Sequence, residues 1–440
     1  MRTSHYFAST QQEANANSTL PSIFATKYYI CTKAITMHKG KDQKPHIGIY
    51  GRRNNGKSSL INLLVGHDVA IVSNIAGTTT DPVKKSLEIL DFGPVILVDT
   101  AGIDDSGELG LMRIEKTLHT INQVDLGILV IAHNKWGEFE EQLLLEFKKT
   151  DTPFIVVHNK QDVEPLTTEL RNRIESDLAS NAALITISAK TDTNLEPLVN
   201  AIKIAIPESS YVTPSMFSGL IKKDDIVLLI TPIDSEAPAG RMILPQVQAI
   251  RDALDNYGVA VVLREGEVET FLKKTAIKPA LAVTDSQIFA LADAMVPKDV
   301  PLTSFSIVLA KLKADFDHYL NGTPKIAELK DGDRILLLES CTHHVSCDDI
   351  GRNKIPNWLN KFTGKKLEYE VVAGLDKLPR DIKEYALLIQ CGGCVITRKQ
   401  LTNRLRPAIE AGIPVTNYGM AIAYVQGIFD RAIEPFRKEV

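Results

Sequence analysis

Short, unbroken apolar runs recur along the chain, each bounded by polar or glycine-rich residues: IGIY at 47–50, VILV at 95–98 and FIVV at 154–157. Runs this short and this continuous predict strands covered on both faces, as in a sheet sandwiched by helices. An amphipathic stretch from 57 onward predicts a helix directly after the first run. Residues 206–220, IPESSYVTPSMFSGL, are rich in Pro and Ser and read as a linker. Beyond them the rhythm resumes, with strands expected at 226–233, 259–265 and 280–286 and helices at 244–258, near 267–274 and at 287–296. The loop SEAPAGRMILPQ (235–246), marked by Pro and Gly, means by itself only a turn. A third section repeats the alternation: RILLLES (334–340), a helical stretch through IPNWLNKF, LEYEVVA (367–373), YALLIQ (385–390) and a helix over 398–412. Strand–helix alternation throughout predicts the α/β class, with three successive sections at 44–207, 208–320 and 321–440 and mainly parallel sheets.

A length of 440 residues agrees with about three domains, each with its own core. The chain is 44% hydrophobic and 24% charged with a net charge of −4, which argues against a general nucleic-acid binder. No apolar stretch reaches the roughly 18 residues of a membrane span, so a soluble, cytoplasmic protein is expected. Residues 1–43 differ from the rest, being rich in Ser, Thr, Ala and Asn and poor in acidic residues. An organellar transit peptide has that look but should be Arg-rich, and only Arg2 is present. The favoured expectation is a disordered or misassigned start, with Met37 as initiator; Cys31 has no assigned role. The other four of the five cysteines lie between 341 and 394. So few, so clustered, point to metal binding or redox chemistry in a reducing compartment.

The first run leads into Gly51-Arg52-Arg53-Asn54-Asn55-Gly56-Lys57-Ser58, a G-x-x-x-x-G-K-S loop between strand and helix. Gly51 and Gly56 let backbone wrap a phosphate, with Asn55 and Ser59 in the same cradle, and the N–H groups at the helix start face the anion. Lys57 is expected on the β- and γ-phosphates and Ser58 on Mg2+. In GTTTD (77–81), Thr78 is expected at the nucleotide and Thr79 on Mg2+; VILVDTAG (95–102) ends in Asp99, a magnesium partner, and Gly102, whose N–H meets the γ-phosphate. In FIVVHNKQD, Asp162 can accept from N1 and N2 of guanine while Asn159 and Lys160 brace the base. Ser188, Ala189 and Lys190 complete that pocket. Five motifs in order predict a P-loop GTPase domain over 44–207 that binds GTP and GDP with Mg2+.

After Gly102 stands Ile103, where many GTPases carry a glutamine that positions the attacking water. Hydrolysis is therefore expected to be slow or to depend on another charge. Asn54, with the GTTTD loop, resembles the potassium-activated group of bacterial GTPases, which implies that Asn54 helps hold K+. The plainer alternative is that Asn54 caps the loop.

Cys341 follows the strand at 334–340, and Cys391 and Cys394 follow the strand at 385–390. In open parallel sheets ligands gather beyond the carboxyl ends of strands. The C-x-x-C pair can ligate one metal or cluster, and Gly392 and Gly393 leave room for inorganic sulfide. A structural zinc completed by His343 or His344 is the rival reading. Cys347 reads as a reduced bystander near a helix start.

Cys341-Thr342-His343, then Gln390-Cys391-Gly392-Gly393-Cys394, resembles the C-x-H…H-C-x-x-C signature of the HydF family of [FeFe]-hydrogenase maturation GTPases. Residues 232–252 are similar to that family's middle segment, so the resemblance covers roughly 44–440. It implies a GTPase domain, a dimerisation domain and a domain holding a [4Fe-4S] cluster on Cys341, Cys391 and Cys394. It further implies a homodimeric scaffold that receives a diiron precursor from two radical-SAM maturases and delivers it to apo-[FeFe]-hydrogenase. Gln390 stands where the family usually has a histidine, which leaves the fourth coordination position open. The alternative is a ribosome-assembly or tRNA-modification GTPase with a structural zinc site, which would need an RNA-binding appendage.

Overall fold

The computed structural model describes residues 44–66, 70–74, 83–89, 92–100, 117–177, 183–191, 195–212, 214–232, 242–340 and 349–437. The chain divides into two compact units, Met1–His38 and Lys39–Val440, and every described residue belongs to the second. The expectations for the N-terminal extension therefore lie outside the described residues.

The first sheet contains β1 (His46–Tyr50), β2 (Ala70–Asn74), β3 (Val83–Ile89), β4 (Gly93–Asp99), β5 (Leu126–Ile131), β6 (Phe154–His158) and β7 (Ala183–Thr186). Their spatial order is β2-β3-β4-β1-β5-β6-β7. Only the pairings of β3 with β2 and β4 are antiparallel; the rest are parallel. Helices α1 (Lys57–Gly66), α2 (Glu138–Lys149), α3 (Thr168–Asp177) and α4 (Leu195–Ala205) accompany it. Every residue of β1, β5 and β6 is buried, as their unbroken apolar runs require. Two apolar clusters, one around Ile47, Leu60 and Leu198 and the other around Tyr50, Phe147 and Leu143, form the core of this section.

The second sheet, β8 (Ile226–Ile230), β9 (Val259–Leu263), β10 (Leu281–Thr284) and β11 (Leu302–Ser304), is wholly parallel in the order β11-β10-β8-β9. With it come α5 (Leu244–Asp255), α6 (Val268–Thr275), α7 (Phe289–Met295), α8 (Phe305–Lys313) and α9 (Phe316–Gly322). The third sheet is also parallel: β12 (Arg334–Leu338), β13 (Glu368–Val372), β14 (Leu387–Gln390) and β15 (Val415–Asn417), ordered β13-β12-β14-β15. Its helices are α10 (Ile355–Thr363), α11 (Arg398–Glu410), α12 (Tyr418–Val425) and α13 (Phe429–Arg437). Along β12 and β14 the period-2 alternation of side chains serves two cores. Leu336, Leu338 and Leu388 join a cluster that runs from Met216 to Phe436 through both sheets, while Ile335, Leu337, Leu387 and Ile389 join one beneath α10 and α12.

One part of the segment at 206–220 does more than link. Phe217 is fully buried in the second core, and its N–H donates to Asp252 Oδ2 at 2.8 Å. Met216 is buried beside it, so the end of a Pro- and Ser-rich segment is seated by apolar side chains. Strands β11 and β15 are three residues each, too short for an apolar run to announce. Among the described residues no helix is long and apolar enough to cross a membrane.

Candidate functional site

The phosphate loop leaves β1 at Gly51, whose φ is +138°; a Cβ there would meet Val130 O at 2.2 Å. Gly56 has φ +89°, and a Cβ would lie 2.2 Å from Asn159 Nδ2. Both positions need glycine on two counts, conformation and close approach. Asn55 Nδ2 donates to Val130 O at 2.9 Å, tying the loop to β5. Lys57 is buried and its Nζ donates to Gly51 O at 2.7 Å and Arg52 O at 2.9 Å, curling over the loop. Asn54 is exposed with φ +64°, a conformation that asparagine tolerates, and Ser58 and Ser59 are exposed in the first turn of α1. Asp99 ends β4, paired with Ile49 of β1. Burial raises its carboxyl above the ordinary value, and the Lys57 and Lys85 ammonium groups pull it back. A partly desolvated carboxylate at a strand end, beside a lysine and a helix start, suits Mg2+ and phosphate together.

A further anchor had no local signal in the chain. Arg52 Nε and Nη2 donate to Glu140 Oε1 and Oε2 at 2.8 and 2.7 Å, and Glu140, fully buried on α2, also accepts from Gly137 N at 3.0 Å. This planar two-bond fork fixes the loop beside Asn54.

Across the sheet edge, Asn159 Nδ2 donates to Asn55 O at 2.9 Å and its Oδ1 accepts from Ala189 N at 3.0 Å. One buried amide thus joins the phosphate loop to the loop after β7. Ser188 Oγ donates to Asp162 Oδ1 at 2.6 Å, which fixes the orientation of an exposed carboxylate. Lys160, at φ +61°, donates from Nζ to His133 Nε2 at 3.3 Å, and Lys190 is exposed. Gly51, Asn55, Gly56, Lys57, Asn159 and Ala189 are therefore gathered around one cradle. Thr78, Thr79 and Gly102 lie outside the described residues.

The second region sits at the carboxyl ends of the two central strands of the third sheet. β12 and β14 pair with Leu338 opposite Gln390, and Cys391 N donates to Leu338 O at 2.9 Å. This brings Cys391 Sγ to 3.1 Å from both Ser340 N and Ser340 Oγ. Gln390, fully buried, points its Nε2 at Ser340 Oγ (3.0 Å), Cys391 O (3.1 Å) and Cys391 Sγ (3.4 Å). Because Cys391 O can only accept, the amide nitrogen belongs on that side. The loop turns at Gly393, φ +67°, where Lys313 Nζ from α8 donates to Gly393 O at 2.9 Å and Ile396 O at 3.0 Å. Cys391 and Cys394 are half-buried, and neither forms a disulfide among the described residues. Two N–H donors, Ser340 N and Gln390 Nε2, face the Cys391 sulfur, and its thiol donates to Ser340 Oγ, a setting that fits a sulfur-ligated metal or cluster. Cys341, His343, His344 and Cys347 lie outside the described residues, and among the described ones no three metal-binding side chains converge.

Family models match three successive stretches: a 50S ribosome-binding GTPase over 46–160, a hydrogen maturase F dimerization domain over 216–314 and a hydrogen maturase F tetramerization domain over 317–435. The tRNA modification GTPase MnmE of Aliarcobacter butzleri is 31% identical over 51% of this chain and 43% of its own length. GTPase Der of Wolinella succinogenes is 33% identical over 36% of this chain and 34% of its own. The chain thus spans less than half the length of these curated relatives. Among solved structures, an Aquifex aeolicus Era variant bound to GDP and AlF4− is 22% identical over 50% of this chain and 93% of that one, with a TM-score of 0.31. The G domain of the T. maritima FeoB iron transporter is 24% identical over 36% of this chain and 96% of that one, with a TM-score of 0.28.

Proposed function

Because the chain belongs to the hydrogen maturase F family of GTPases, we propose that it is a GTP-hydrolysing scaffold that holds a [4Fe-4S] cluster and delivers a diiron precursor to apo-[FeFe]-hydrogenase. The observation that carries this reading is the pair of half-buried thiols just beyond the central strand β14, with Ser340 and Gln390 donors turned toward Cys391 sulfur.

In this reading residues 44–207 bind and hydrolyse GTP, 208–320 join two copies, and 321–440 hold the cluster through Cys341, Cys391 and Cys394. Lys57 draws away from its carbonyl partners onto the β- and γ-phosphates, and Ser58, Thr79 and Asp99 bind Mg2+. Water attacks the γ-phosphorus, the bond to the β–γ bridging oxygen breaks, and GDP and phosphate leave. With Ile103 in place of a glutamine, turnover is slow and gains from K+ held with the help of Asn54. Asp162, oriented by Ser188, selects guanine, and Asn159 keeps its pocket attached to the phosphate loop. The bound cluster supplies an attachment point for the diiron cargo. Gln390, buried with its amide nitrogen toward Cys391, acts as a donor to sulfur rather than a ligand, so a fourth position stays exchangeable. Self-association is supported by edge strand β9, where Val259 is 49% and Val262 39% exposed beside the exposed Leu254 and Tyr257. The two radical-SAM maturases and the hydrogenase are the expected partners, in a reducing, cytoplasmic setting where the thiols stay reduced.

Anaerobic purification followed by iron, sulfide and zinc analysis tests the cluster. About four irons and four sulfides per chain are expected. Stoichiometric zinc without iron would overturn the reading in favour of a zinc-stabilised GTPase.

A further inference from the structure

Helix α11 starts directly beyond the Cys391–Cys394 loop and packs between the third sheet and the first section. Toward the third sheet, Arg404 Nη1 donates to Glu339 O at 2.7 Å and Nη2 to Val372 O at 2.8 Å, at the ends of β12 and β13. Leu401, Leu405 and Ala408 bury the apolar face of the helix in the shared core. Its other face is a polar stripe, Lys399, Gln400, Asn403 and Arg406, spaced to lie on one side of a helix. All four reach backbone carbonyls of the first section: Lys399 Nζ to Asp151 O (2.9 Å), Gln400 Nε2 to Gln123 O (2.7 Å), Asn403 Nδ2 to Asn122 O (3.1 Å) and Arg406 Nη1 to Lys149 O (2.9 Å).

Two of these acceptors occupy a particular place. Asn122 and Gln123 close the helical residues 117–121, the described part of the chain that next follows β4 and Asp99. The same turn is held a second time, since His119 Nε2 lies 2.8 Å from Leu375 O beyond β13. In a P-loop GTPase the stretch after the aspartate is the part that contacts the γ-phosphate, and its position depends on which nucleotide is bound. Gln400 meets the end of that stretch with one end of its amide. With the other end, Oε1, it accepts from Thr397 N at 3.0 Å, the residue that caps α11 and closes the loop of the paired thiols. Gln400 is only 4% exposed and Asn403 8%, so neither amide can exchange these partners freely for water.

We propose that Gln400, supported by Asn403, is a positioning residue that couples the nucleotide state of the first section to the geometry of the Cys391–Cys394 loop. The inference rests on the nucleotide and thiol sites described above, and it assigns their regulation to one buried amide. A displacement of Gln123 pulls on Thr397 through Gln400, while Lys313 holds the loop at Gly393 and Ile396. The coupling is reciprocal: whatever factor nucleotide imposes on ligand affinity at the thiols, a ligand there imposes on nucleotide affinity.

The test uses the full chain, freed of metal and kept reduced, with Mg2+ and either GDP or the non-hydrolysable analogue GDPNP. Alkylation rates of Cys391 and Cys394 by iodoacetamide are read by peptide mass spectrometry. A ratio between the two states of about five-fold or more is expected, the low end of ordinary allosteric coupling. Gln400→Glu keeps the acceptor for Thr397 N but loses the donor for Gln123 O, so the ratio should collapse toward one with GTP hydrolysis intact. Asn403→Asp, which loses the donor to Asn122 O, should lower it in the same sense and serves if the first variant fails to fold. Arg406→Ala, on the same stripe but bonded to Lys149, should keep the wild-type ratio. Equal rates in the wild type, an undiminished ratio in Gln400→Glu, or a collapse in Arg406→Ala would each overturn the proposal. The readout needs no cluster, so a chain that shows the ratio but purifies anaerobically with stoichiometric zinc and no iron would defeat the carrier reading and leave this inference standing.

Discussion

Replacing Asn159 by alanine should detach the guanine pocket from the phosphate loop. Asn159 is 2% exposed; its Nδ2 is bonded to Asn55 O at 2.9 Å and its Oδ1 to Ala189 N at 3.0 Å. Truncation removes both bonds and leaves a buried acceptor and a half-buried donor behind. Each orphaned group costs about 1–3 kcal/mol, and water entering the vacated space recovers part of it, so the total is about 2–4 kcal/mol. At about 1.4 kcal/mol per decade, GDP and GTP should each bind roughly 30- to 700-fold more weakly. The loss should fall equally on the two nucleotides, because neither bond senses the γ-phosphate. Discrimination between guanine and adenine should survive, since Asp162 and Ser188 remain. Fluorescence titration with mant-GDP and mant-GTP measures both affinities. A change below about three-fold would refute the idea that this amide holds the two loops together.

Three further outcomes follow from the same geometry. Asp162→Asn should weaken GTP and favour xanthosine triphosphate, with a lost charge-assisted contact worth about 2–4 kcal/mol; unchanged GTP affinity would count against the pocket. Turnover should rise when K+ replaces Na+, and Asn54→Ala should flatten the difference; equal wild-type rates in the two salts would end the potassium reading. His158 is fully buried with neither ring nitrogen hydrogen-bonded among the described residues, and burial lowers its pKa, so protons bind the unfolded state first. Its contribution is present above the unfolded value of about 6.5 and lost as pH falls below it, so urea midpoints at pH 7.5 and 5.5 should differ less in His158→Leu than in the wild type. An identical acid drop in both proteins would rule this out.

What could be read along the chain was what is encoded locally. The phosphate loop needs glycine and lysine at fixed offsets, and central parallel strands need unbroken apolar runs, so motif and class were both visible in single segments. Contacts between distant segments were not. Arg52 meets Glu140 across 88 residues and Gln400 meets Gln123 across 277, and neither pair has a spacing rule. Ser340 precedes Cys341 and could have been suspected as a donor, but its reach to Cys391 depends on β12 lying beside β14 with Leu338 opposite Gln390. Gln390 illustrates the limit most clearly. As a letter it was a missing histidine; folded, it is a buried amide whose nitrogen must face a carbonyl and a sulfur. The polar stripe of α11 did have a legible helical spacing, although nothing local told a solvent-facing stripe from one docked on another section.

The central claim is that the paired thiols carry an iron cargo to a hydrogenase, and transfer tests it most directly. Protein produced with the two radical-SAM maturases, purified without oxygen, is mixed with apo-[FeFe]-hydrogenase, and hydrogen evolution is followed. The account predicts activation by the wild-type chain and none by Cys391→Ser, with GTP hydrolysis by that variant unchanged. Equal activation by wild type and Cys391→Ser, or none by the fully iron-loaded wild type, would contradict it.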